Sequence, residues 1–94
     1  MTVTKENKVF LEGLIEYYIS EAQSYREMAQ EYSLKIDSVP DTTFGIIVGC
    51  IYSSFLQTYS NQKLTPTVQD VQEFTEIIMM KSSAIMDAIK GQNN

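Results

Sequence analysis

Between Asp41 and Lys63 the chain carries no charged residue. Within that stretch, residues 44–56 (FGIIVGCIYSSFL) form its most apolar segment. A helix over these residues is apolar on more than one face, and such a helix demands cover from other elements. The rest of the sequence reads as that cover. A chain of 94 residues is the size of one domain, 1–94, and buries only about 60–65% of its unfolded surface.

Apolar spacing predicts an all-α fold of three helices, at about 5–36, 43–60 and 66–90. The first is expected to be long, with Thr4 as N-cap. Leu11, Ile15, Tyr18, Ala22, Tyr25, Ala29, Tyr32 and Ile36 recur three and four apart as a heptad seam. At about 1.5 Å per residue this helix would reach about 48 Å. Pro40 disfavours helical geometry at Val39, so Asp41 or Thr42 is expected to cap the second helix. Thr65 followed by Pro66 predicts the start of the third. Thr67 with Asp70 is a competing, capping-box-like start about two residues later. Gly91 supplies the stop, and residues 92–94 are expected to fray. The whole reads as an antiparallel three-helix unit that completes a larger bundle as a dimer.

Three surfaces are left over once each helix has turned one stripe inward. On the second helix, Gly45, Gly49 and Ser53 lie four apart, and small residues at that spacing allow another backbone to come close. On the third, Ile77, Met80, Ala84 and Ala88 lie away from the main stripe of Val71, Phe74, Ile78, Ile85 and Ile89. On the first, Tyr18, Tyr25 and Tyr32 form a row seven residues apart, suited to a half-wet contact because each hydroxyl needs a polar neighbour. These ten residues are the candidate interface.

Catalytic and metal chemistry find little support. Histidine is absent, which removes Ser–His and Cys–His pairs and the commonest transition-metal ligand. Glu12/Glu16 and Glu73/Glu76 have helical carboxylate spacing but read as solvated faces. No catalytic residue, metal ligand or cofactor is therefore expected. The long–short–medium helical outline is similar to that of the small chorismate mutases. A dianion site would need several inward cations, however, and Arg26 is the sole arginine.

Net charge is −5, and no basic patch offers itself to nucleic acid or to anionic lipid. A single cysteine, Cys50, implies no disulfide and reads as a small buried hydrophobe. The N-terminal residues lack the basic-then-apolar pattern of a signal peptide, and 44–56 falls short of the ~20 residues that span a bilayer. The expectation is a soluble cytoplasmic protein without a membrane role. The leading functional reading is a non-catalytic oligomerisation or protein-interaction module, homodimeric or docked on another protein. A regulatory, immunity or sensor-type protein binding a partner or small apolar ligand stands second, and a small helical enzyme last.

Overall fold

The computed structural model describes residues 3–91, so the expectation of fraying at 92–94 lies outside the described residues. Among them the fold is all-α, without strands: α1 (Lys5–Ser20), α2 (Ala22–Gln30), α3 (Val39–Asn61) and α4 (Val68–Lys90), with a single 3-10 turn at Ser33–Lys35.

The expected 48 Å first helix does not form. It breaks at Glu21, whose backbone (φ −104°, ψ 13°) leaves the helical region. No proline or glycine sits there. Ser20 donates its hydroxyl to the Tyr17 carbonyl at 2.6 Å beside the break, a bond of the kind that Ser82 makes to Met79 within an unbroken α4. The Glu21 N–H is left shared between the Tyr17 and Tyr18 carbonyls. The break lets α2 lean on the end of α4. Gln23 donates to the Ala88 carbonyl at 2.7 Å, which also accepts from the Gly91 N–H, and Arg26 donates to the Ile89 carbonyl at 3.0 Å, both in the last turn where carbonyls outrun the helical ladder. The arginine also brings positive charge to the negative end of the α4 dipole. Helix ends again at Gln30, so Tyr32 leaves the seam and is 60% exposed.

Both later helices start where the caps dictate. Ser38, not Asp41 or Thr42, caps α3, accepting from the Asp41 N–H at 3.1 Å. Pro40 falls inside the first turn, where its missing N–H costs no helical bond. The competing start of α4 is the one adopted: Thr67 Oγ1 accepts from the Asp70 N–H at 3.0 Å, and Asp70 Oδ2 accepts from the Thr67 N–H at 2.8 Å. Gly91 ends α4 in the left-handed conformation, φ 74°.

Contacts fix the helix directions. Asn7 pairs with Gln62 through both amides, so α1 begins where α3 ends. Glu73 accepts from the Val3 N–H at 3.2 Å near the start of α4, while Gln23 and Arg26 meet its end. The α1–α2 arm therefore runs with α4, and α3 runs against both. The core lies between them: Leu11, Ile15, Ala22, Ile47, Ile51, Phe55, Phe74, Ile78, Ile85 and Ile89. Phe74 stacks on Tyr52 and Phe55 with ring centroids 5.0 and 4.9 Å away.

The α3 C-terminus closes with a Schellman pattern, Leu64 N–H to Tyr59 O and Lys63 N–H to Ser60 O, both 2.9 Å. That motif wants glycine at the left-handed position, which here is Lys63 at φ 59°. Lys63→Gly is expected to raise stability by about 0.5–1 kcal/mol, measured as a higher urea midpoint. An unchanged or lower midpoint would show that no strain is relieved there.

Candidate docking surface

α3 turns Thr43, Ile47, Ile51, Phe55 and Tyr59 inward, one residue in four. At 100° per residue, Gly49 projects opposite the middle of this stripe, with Gly45 and Ser53 one turn either side. All three are exposed, and a Cβ placed on Gly45 or Gly49 would meet nothing within 4 Å. The rest of the chain covers the inward stripe of this helix and leaves this side open. The small-residue row is used for no close approach within the chain, and it faces out.

Beside this row, Phe44, Val48 and Tyr52 of α3 and Val71, Phe74 and Thr75 of α4 wall an open groove of about 440 Å³ floored by Gly45 and Gly49. On a helical wheel Phe44, Val48 and Tyr52 fall beside Ile47, Ile51, Phe55 and Tyr59 in one apolar stripe. In the structure they are half-buried walls, displaced because the inward stripe follows a strict four-residue step. Along the same side of α4, Val68, Val71, Thr75, Met79 and Ser82 recur three or four apart and so share a face. Val68 is 74% and Met79 67% exposed. Between Asp41 at the start of α3 and Lys90 at the end of α4 the combined face thus carries no charge, on a chain with 19 ionisable Lys, Arg, Asp and Glu side chains (7 + 12).

The other candidate residues separate. Ile77 and Ala88 lie in the core, so the expected patch on the third helix is divided. The bend at Glu21 brings Gln23 over Ala88, and the α1 N-terminus covers the region of Ile77. Met80 and Ala84 remain exposed, Met80 on the rim of a polar depression with Lys8, Gln69, Gln72, Glu73 and Glu76. Tyr18 and Tyr25 pack half-buried against the core with ring centroids 5.4 Å apart. Burial, then the neighbouring Cys50 thiol and Tyr25, push the Tyr18 hydroxyl above its ordinary pKa. Cys50 is half-buried on that flank and not sealed in the core as expected. Among the described residues, no three Asp, Glu or Cys side chains converge as metal ligands.

At the opposite end sits the buried polar group of Asn7, Tyr59 and Asp70. Comparison of the chain with protein-family models, with curated proteins and with solved structures finds no match.

Burial, and after it the negative charge of Asp70, raise the Tyr59 hydroxyl above the ordinary phenol value of 10.0. The fold therefore favours the neutral phenol. Its contribution to stability is intact below that value and is lost as pH rises through it towards the higher folded pKa. Urea midpoints measured at about pH 8 and about pH 10.5 should fall more in the native protein than in Tyr59→Phe. Equal falls would place the alkaline sensitivity elsewhere.

Proposed function

We propose that the chain is a non-catalytic helical interaction module that works by self-association. In this reading the α1–α2 arm, α3 and α4 act as an antiparallel three-helix unit, and a dimer completes the larger bundle. The observation that carries it is the open, charge-free α3–α4 face. A surface helix of a self-sufficient domain turns a polar, charged face to water, and α3 turns Gly45, Gly49, Ser53 and Leu56. Dimensions agree. The molecule measures 40 × 29 × 19 Å, and its thin axis accommodates about two helix diameters. A slab of two layers leaves each helix one outer face, and that of α3 is the least suited to water.

A small apolar ligand is the second reading, favoured by the groove's volume of about 440 Å³, within the range of small-molecule sites. Only Thr75 offers it a side-chain hydrogen-bonding group from the helix opposite, where ligand sites converge several.

Light scattering after gel filtration at micromolar concentration tests the proposal. The expected mass is twice 10.7 kDa. A single chain's mass throughout, with an apolar molecule released on denaturation, would favour the ligand instead.

A further inference from the structure

Resting on that self-association, we infer that the occupant of the open face is the α3 of a second copy, packed antiparallel across a twofold axis at Gly49. The area argument comes first. The chain exposes 6209 Å², whereas a compact monomer of 10.7 kDa exposes about 5500 Å². The surplus of about 700 Å², to which the open face contributes together with other exposed side chains such as Leu34 and Met80, is of the order of the ~800 Å² that each partner buries in a stable interface of standard size. The radius of gyration agrees, 14.1 Å against about 12 Å for a compact domain of this length.

Charge selects the partner. Each copy carries −5, so two copies repel except where their facing surfaces are neutral. The face from Gly45 to Leu56 is the neutral one. A bilayer would draw its hold from cations around an apolar face, and the nearest here is Lys63, although α3 has the length and composition to cross one.

The spacing then sets the geometry. In a twofold contact the residue on the axis meets its own copy. With Gly49 on the axis and the helices antiparallel, Gly45 of each copy falls opposite Ser53 of the other. Every position at the crossing is small, so the backbones close without displacing a side chain. The ridge of Phe44, Val48 and Tyr52 lies alongside. A parallel pair would instead set Asp41 against Asp41 and Lys63 against Lys63. The antiparallel pair separates both and opposes the two helix dipoles.

Disulfide trapping in a Cys50→Ser background tests this. Gly49→Cys should oxidise to a covalent dimer in most of the chains, Gly45→Cys alone should not, and Gly45→Cys with Ser53→Cys should. The space at both glycines lets these variants fold, which unchanged helicity by circular dichroism verifies. If Gly49→Cys stays uncoupled while the native mass is dimeric, the axis is overturned and self-association stands. Self-coupling of Gly45→Cys as readily as Gly49→Cys would overturn the antiparallel arrangement. A native mass of one chain would overturn both readings, and flotation of that monomer with phosphatidylcholine vesicles would make a bilayer the occupant.

Discussion

Everything in this fold leans on the inward stripe of α3. Ile47 and Ile51 are fully buried, Phe55 and Tyr59 almost so, and each lies one four-residue step from the last. Phe55 stacks on Phe74 at 4.9 Å and on Tyr59 at 5.0 Å, which ties α3 to α4. Burying a side chain of this size contributes about 1.5–3 kcal/mol, and these four meet the large core side chains that α1 and α4 supply. A charge placed among them would have no partner to offset its desolvation. The ends are then fastened by directional bonds. The Asn7–Gln62 amide pair and the Glu73–Val3 contact close one end, and Gln23 and Arg26 close the other.

The same stripe explains what is left open. A helix that meets its neighbours every fourth residue presents a narrow band to the core, and a 23-residue helix whose sole charged side chain is Asp41 carries more apolar surface than that band absorbs. α1 and α2 both pack against the inner side of α3, and α2 also reaches the end of α4, so neither covers the outer side. The cost of the open face falls on an apolar surface, and apolar surface is what association removes from water.

Much of this was legible in the chain. The absence of charge from 42 to 62 marked α3 as the organising helix. The Gly45, Gly49 and Ser53 spacing marked its outer face, and Thr67 with Asp70 marked the start of α4. The bend at Glu21 was not legible, because no proline or glycine marks it and the apolar seam runs on through Ala22, Tyr25 and Ala29. Pro40 was misread because Ser38, two residues before it, outcompetes Asp41 as a cap. The groove walls were missed for a geometric reason. At 3.6 residues per turn, Phe44, Val48 and Tyr52 lie on the shoulder of the inward stripe, and only the tilt of α4 decides whether a shoulder is core or wall. Ile77 and Ala88 looked superfluous on a lone helix, and they became core once α1 and α2 packed against different ends of α4.

The central claim is that the fold reaches full stability only when a second copy covers α3. The most direct measurement is the thermal unfolding midpoint as a function of protein concentration. Association that is lost on unfolding raises the midpoint as concentration rises, and Gly49→Cys, alkylated with a bulky reagent in the Cys50→Ser background, should abolish that rise while keeping its helicity. A native midpoint that stays constant across a hundredfold range of concentration would contradict the account.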